Sequence, residues 1–101
     1  MATEIIHNEA ASRYEIQVDG DLAGYVLYRV RPDALALTHT TVLPAYEGKG
    51  LGSVLARGTL DDIRAHSGQI VPLCPFISAF IARHPEYADL IVARYLDDPT
   101  A

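Results

Sequence analysis

Apolar and polar residues alternate with a period of two along RYEIQVDGDLAGYVLYRVRPDALALTHTTV, residues 13–42. That period marks half-buried strands. Tyr14, Ile16 and Val18 share one face of a first strand, and the DGD at 19–21 is a hairpin signal. Residues 24–30, rich in Tyr and Val, read as a second strand. RPD at 31–33 reads as a second turn, and a third strand runs from about residue 34 to residue 42. Three strands joined this way predict an antiparallel meander.

The period then changes. Leu51, Val54, Leu55, Thr59 and Ile63 recur at helical spacing, with Arg57, Asp61, Asp62 and Arg64 between them. This helix should stop near His66, ahead of Gly68. QIVPL from Gln69 reads as a short buried strand. PFISAFIARH reads as a second helix that turns Phe76, Ile77, Phe80 and Ile81 inward and must stop before Pro85. PEYADLIVARYL reads as a third helix with proline at its first position. The tail YLDDPTA is expected to fray. The order β-β-β-α-β-α-α contains a strand–helix–strand crossover, which implies a parallel pair. The expected fold class is α+β with a mixed sheet. It is a single domain, because 101 residues support one core and not two.

Between meander and first helix lies VLPAYEGKGLGSVL, residues 42–55, with Gly48, Gly50 and Gly52 alternating. One glycine would serve a strand-to-helix turn that needs a positive φ. Three alternating ones suggest a place where another group approaches the main chain. A helix start offers free N–H groups and partial positive charge, glycine lets an anion reach them, and Lys49 adds a full charge. A structural turn and a phosphate cradle both fit these residues. Two familiar glycine motifs do not: Lys49 is followed by Gly50 rather than Ser or Thr, and the spacing is GxGxG rather than GxGxxG.

Composition narrows the partners. Half of the residues are hydrophobic and 21% are charged, which suits a globular chain. The net charge is -5 and the eight Lys and Arg are scattered, so no basic face for nucleic acid is expected. The single cysteine, Cys74, makes neither an internal disulfide nor a CxxC metal pair and suits a reducing compartment. MATEIIHNEAAS lacks a signal-peptide pattern, and IVPLCPFISAFIA is too short for a bilayer and carries two prolines. The expectation is a cytoplasmic protein with no membrane partner, a monomer or weak dimer.

VLPAYEGKGLGSVL is similar to the acetyl-CoA-binding segment of the GNAT superfamily of N-acetyltransferases, in which [Q/R]-x-x-G-x-[G/A] follows a strand ending in Val-x-Pro. VPLCPFISAFIARHPEYADLI resembles the C-terminal half of a small, single-domain GNAT-like group that reads V-x-P-x-C-P-F and then R-H-P-E-Y. THTTV also fits that group, which commonly has His-Thr-Glu-Val. Together these cover residues 14–91 in order. The resemblance implies a minimal GNAT-like fold around residues 12–92, with acetyl-CoA as co-substrate and no metal. The strand ending at Thr41 and Val42 would bind the pantetheine arm. Glu47, Gly48, Lys49, Gly50, Leu51 and Gly52 would hold the pyrophosphate, with Ser53 as a further donor. Three departures stand out. Glu47 replaces Gln or Arg, at a cost of only about 1 kcal/mol at an exposed site. Thr41 stands where the group often has Glu. The paired helices that help larger members bind the acceptor are missing.

Cys74 precedes Pro75, a residue suited to the first helical position, which makes Cys74 the helix N-cap. Free amides and the dipole there stabilise a thiolate. With the resemblance, which places this cysteine near the cofactor's reactive end, this gives a candidate nucleophile that is transiently acetylated. A buried, inert core thiol is the competing reading. His39, just before the glycine loop, and His84, ending the second helix, are candidate bases. For His84 a C-terminal helix cap competes. His7 and His66 read as solvated surface residues. A metal set of Cys74, His39 and His84 has no recognised spacing. Tyr25 and Tyr87 are candidates for packing on the cofactor against a core role, and Arg83 for a phosphate contact against a solvated face.

The leading expectation is therefore an acetyl-CoA-dependent N-acetyltransferase acting on a primary amine of a small molecule or exposed peptide. The catalytic residues would be Cys74 and His39, in an open, shallow site. A non-catalytic coenzyme A or acyl-CoA-binding module is the alternative, and a plain interaction domain the third.

Overall fold

The computed structural model describes residues 2–97. Five strands form one sheet in chain order: β1 (Thr3–Asn8), β2 (Arg13–Val18), β3 (Asp21–Val30), β4 (Leu35–Val42) and β5 (Ile70–Pro72). The first four pair antiparallel, and β5 runs parallel to β4, with Leu35 opposite Ile70 and Leu37 opposite Pro72. The β4 edge of the meander is thus extended by β5, reached through the crossover helix α1 (Leu51–Ala65), as the strand–helix–strand order requires. The class is the expected one, a mixed sheet with helices.

Tyr14, Ile16 and Val18 of β2 face the main core, together with Val26, Tyr28 and Leu37 of the neighbouring strands. Leu51, Leu55, Leu60 and Ile63 of α1 cover them, joined by Ile77, Phe80 and Ile81 of α2 (Pro75–Arg83), whereas Phe76, expected to turn inward with them, is exposed and lies against Gly52 instead. Burying such side chains contributes about 1.5–3 kcal/mol each. On the other face a smaller cluster of Ala34, Ala36, Val71 and Val92 is covered by Tyr95 of α3 (Ala93–Asp97).

Four further features depart from the sequence expectations. The first is β1. Its adjacent Ile5 and Ile6 break the period-two signal, yet all six residues pair with β2. Ile5 crosses α1 so closely that a Cβ on Gly58 would sit 2.5 Å from its Cγ1.

The second departure is the third helix. Residues 85–90 form a 3-10 turn, Ile91 bridges in parallel to Ile70, and the helix begins at Ala93. The outer edge of β5 needs partners for its main chain, and Val92 N–H supplies one by donating to Ile70 O at 3.0 Å. That demand overrides helical periodicity at Ile91. Of the tail expected to fray, residues 98–101 lie outside the described residues.

The third departure is the end of α1. It stops where expected, but the left-handed residue is Ser67, at φ 57°, rather than Gly68. Gly68 N–H donates to Ile63 O at 2.8 Å and Ser67 N–H to Arg64 O at 3.0 Å, a Schellman pair.

The fourth is His7, which is exposed as expected but is engaged by two tyrosines. Its ring stacks on Tyr14 at 4.2 Å and its Nε2 is 2.7 Å from Tyr28 Oη. Tyr14 Oη in turn donates to Asp62 Oδ2 at 2.7 Å, tying the sheet to α1.

Glu15 is buried on the outer face of the sheet. Hydrogen bonds from Asn8 and Arg13, at 2.9 and 2.7 Å, hold its carboxyl below the usual range. A lowered folded-state value stabilises the protein above the unfolded carboxylate pKa, about 4.3, and that stability is lost as pH falls through the folded value. Glu15→Gln should therefore cost on the order of 1 kcal/mol in urea unfolding at pH 7. The difference from the parent should shrink progressively below about pH 4.

Candidate functional site

β4 outlasts β5. Pro72 has no N–H to extend the ladder, and Cys74 N–H donates to Leu37 O at 2.9 Å just before α2 turns away. Residues 38–42 border no strand on that side among the described residues. A gap opens there between the end of β4 and the start of α2.

The phase of β4 also changes there. Leu37 lies opposite Tyr28 but His39 lies opposite Leu27, so Thr38 is an extra residue, a bulge. Its Oγ1 donates to Leu27 O at 3.3 Å. The bulge puts Thr40, opposite core-facing Val26, on the side of α1 and α2. His39 and Thr41 turn to the other face. Leu43 N–H donates to Ala23 O at 2.8 Å. Alternation then directs the main chain of Thr41 towards β3, and that of Thr40 and Val42 to the open edge. The main-chain groups at the open edge are therefore those of Thr40 and Val42, while those of Thr41 are engaged with β3.

Cys74 is the N-cap of α2, as the sequence indicated, with Ser78 N–H donating to Cys74 O at 3.0 Å. Its side chain makes no capping bond. The thiol is 4% exposed, belongs to the main core, and lies 3.3 Å from Thr40 Oγ1. Cys74 and exposed His39 thus flank the gap from opposite faces of the sheet.

The glycine loop begins with Pro44–Tyr46, a 3-10 turn, followed by Glu47, whose N–H donates to Pro44 O at 3.4 Å. Gly48 and Gly50 have φ of 78° and 74°, which other L-residues adopt at a cost of about 1–2 kcal/mol. A Cβ on either would meet no described atom within 4 Å, so both point into open space. Gly52 has a different cause: its Cβ would lie 2.9 Å from Phe76 Cζ, where α1 meets α2. The first bond of the α1 ladder is Val54 N–H to Gly50 O at 3.4 Å, with no side-chain cap. The amides of Leu51, Gly52 and Ser53 therefore precede the ladder. These three residues line a cleft of about 240 Å³ with Val42, Tyr46, Glu47, Gly48, Gly50 and Phe76. Lys49 and Glu47 are exposed beside it.

Other candidates lie apart from this cleft. His84 caps α2, its N–H donating to Phe80 O at 2.9 Å and its ring 4.3 Å from Phe80. Tyr87 is buried, donates to Asp61 Oδ1 at 2.7 Å and accepts from Arg57 at 3.1 Å. Tyr25 lies under the Arg13 guanidinium at 4.9 Å. Arg83 is exposed. Among the described residues no three His, Cys, Asp or Glu side chains gather as a metal set, and no helix is long and apolar enough to cross a membrane. Sequence reasoning missed Thr38 and Thr40. The signal was there: the polar run THTT interrupts the alternation of ALAL, as a bulge does.

The family model described as GCN5-related N-acetyl-transferase matches residues 13–90. A GCN5-like protein from Staphylococcus aureus, solved by NMR, superposes with a TM-score of 0.64 at 22% identity, over 88% of this chain and 87% of the other. A ribosomal-protein-alanine N-acetyltransferase from Brucella melitensis biovar Abortus 2308 superposes with a TM-score of 0.55 at 23% identity, over 86% of this chain and 67% of the other. At these identities both likenesses concern the fold. The matched residues take in β2 to β5, the glycine loop, α1 and α2, and the chain belongs to the GCN5-related N-acetyltransferases.

Proposed function

We propose that the chain is an acetyl-CoA-dependent N-acetyltransferase that moves an acetyl group to a primary amine at the gap between β4 and α2. The observation that carries this is the set of uncapped amides at the start of α1, sharing a cleft with Val42 at the end of the open β4 edge. The residues fit the ligand. The open space beyond Gly48 and Gly50 admits a diphosphate to the amides of residues 48–53, with Lys49 and the Ser53 hydroxyl beside them. The exposed Glu47 carboxylate opposes this by only about 1 kcal/mol. The edge groups of Thr40 and Val42 suit the amides of a pantetheine arm, and the Thr41 side chain borders the same strand end from the other face.

The co-substrate supplies a thioester carbonyl activated towards amines. The edge N–H of Thr40, farther from the α1 cleft than Val42, polarises that carbonyl. The amine nitrogen attacks from the His39 face, and His39 takes the amine proton. A C–N bond forms, the C–S bond breaks, and coenzyme A leaves as a thiolate that recovers the proton from His39 through solvent. Cys74 offers a second route from the opposite face, in which its sulfur takes the acetyl group and then passes it to the amine. The contact with the Thr40 hydroxyl places that thiol at the edge of the gap and favours testing it.

Three outcomes are expected. In calorimetry the chain binds acetyl-CoA, and Lys49→Glu, a surface change, weakens binding about fivefold at low salt. No binding by the parent chain would overturn the reading. His39→Gln lowers kcat by about a hundredfold or more in a thiol-release assay with pooled amines. Intact mass after incubation with acetyl-CoA distinguishes the two routes. An acetyl label that disappears in Cys74→Ala, together with lost turnover, assigns the cysteine route, whereas unimpaired turnover of Cys74→Ala assigns direct transfer.

A further inference from the structure

A cavity of about 490 Å³ opens on the face of the sheet away from α1 and α2. Leu27, Arg29, Arg31, Thr38, His39 and Leu73 contribute to its wall, and no Asp or Glu does. In a chain of net charge -5, the Arg29 guanidinium on a wall without Asp or Glu is a local reversal of sign. Arg29 is exposed and makes no hydrogen bond or ion pair among the described residues. The cavity also reaches the gap itself, since Leu73 precedes Cys74 and Thr38 is the bulge that turns His39 outward.

Resting on the transferase reading above, we infer that this cavity receives the acceptor, and that the acceptor is a primary amine carrying its own carboxylate or phosphate. The amine sits at His39 and the anion at Arg29. Leu27 is paired with His39, and Arg29 follows two residues later on the same face of β3, about 7 Å along the strand. A short ω-amino acid spans that distance. The positive wall also disfavours an ammonium ion next to it, which helps the nitrogen to arrive as the neutral nucleophile. Leu27 and Leu73 offer apolar surface to the methylenes between the two ends.

The test compares 4-aminobutyrate with butylamine, which match in length and differ in the carboxylate. In the thiol-release assay, kcat/KM should be about tenfold or more higher for 4-aminobutyrate, the effect of one charge-assisted hydrogen bond. Arg29→Gln should bring that ratio close to one by raising KM for 4-aminobutyrate, and Arg29→Lys should restore part of it. Equal use of the two amines, a ratio unchanged in Arg29→Gln, or no transfer to the anionic amine overturns the inference. Amide chemical shifts separate this failure from failure of the transferase reading. Addition of 4-aminobutyrate alone should move the signals of Leu27, Thr38 and His39. Those shifts in a chain that does not bind acetyl-CoA remove the transferase reading and leave the anion pocket, whereas acetyl-CoA binding without them removes the pocket.

Discussion

Everything at the candidate site follows from how early β5 stops. Pro72 ends the parallel ladder because it has no N–H to offer, and Pro75 starts α2 three residues later. The pairing of β4 with β5 covers Leu35, Ala36 and Leu37, after which β4 continues alone. An unpaired strand edge inside a folded domain must be satisfied by something. At the outer side of β5 the chain meets the same demand itself, with Ile91 and Val92. On the inner side, beyond Leu37, the main chain of Thr40 and Val42 faces no strand among the described residues.

The bulge at Thr38 is the second half of that arrangement. Without it His39 and Leu37 would share a face and the imidazole would be driven into the core. With it, Thr40 meets Cys74 and His39 meets the cavity on the far face. One inserted residue therefore distributes the two candidate reactive groups to opposite sides of the same gap. The glycine loop contributes in a plainer way than its spacing suggests. Gly48 and Gly50 make the turn, and Gly52 lets α2 lie close enough to α1 for Phe76 to wall the cleft.

The meander, the crossover helix, the buried short strand and the cap position of Cys74 were all legible, because each rests on a local signal: period, turn residues or proline. The failures share a cause. β1 is specified by what it pairs with and by Gly58 beneath Ile5, a mid-helix glycine whose meaning appears only once another chain segment crosses it. The break at Ile91 answers a hydrogen-bonding demand set by β5, some twenty residues earlier. The role of His7 depends on Tyr14 and Tyr28 gathering around it. At the site, the residue types were identified, but the face on which each stands depended on the bulge, and with it the assignment of Thr40 rather than Thr41 to the open edge.

The order of strands across the sheet repeats their order along the chain. As the protein leaves the ribosome, each of β2, β3 and β4 finds its partner in the segment made just before it, so the four-stranded part closes through short hairpins. The parallel strand is different: it must wait until the whole of α1 has emerged. During that interval the apolar stretch at Leu35, Ala36 and Leu37 faces water along its free side, and this is the segment most exposed to wrong pairing with another copy. Translation speed through codons 43–72 should thus matter more to the yield of folded protein than speed elsewhere in the message.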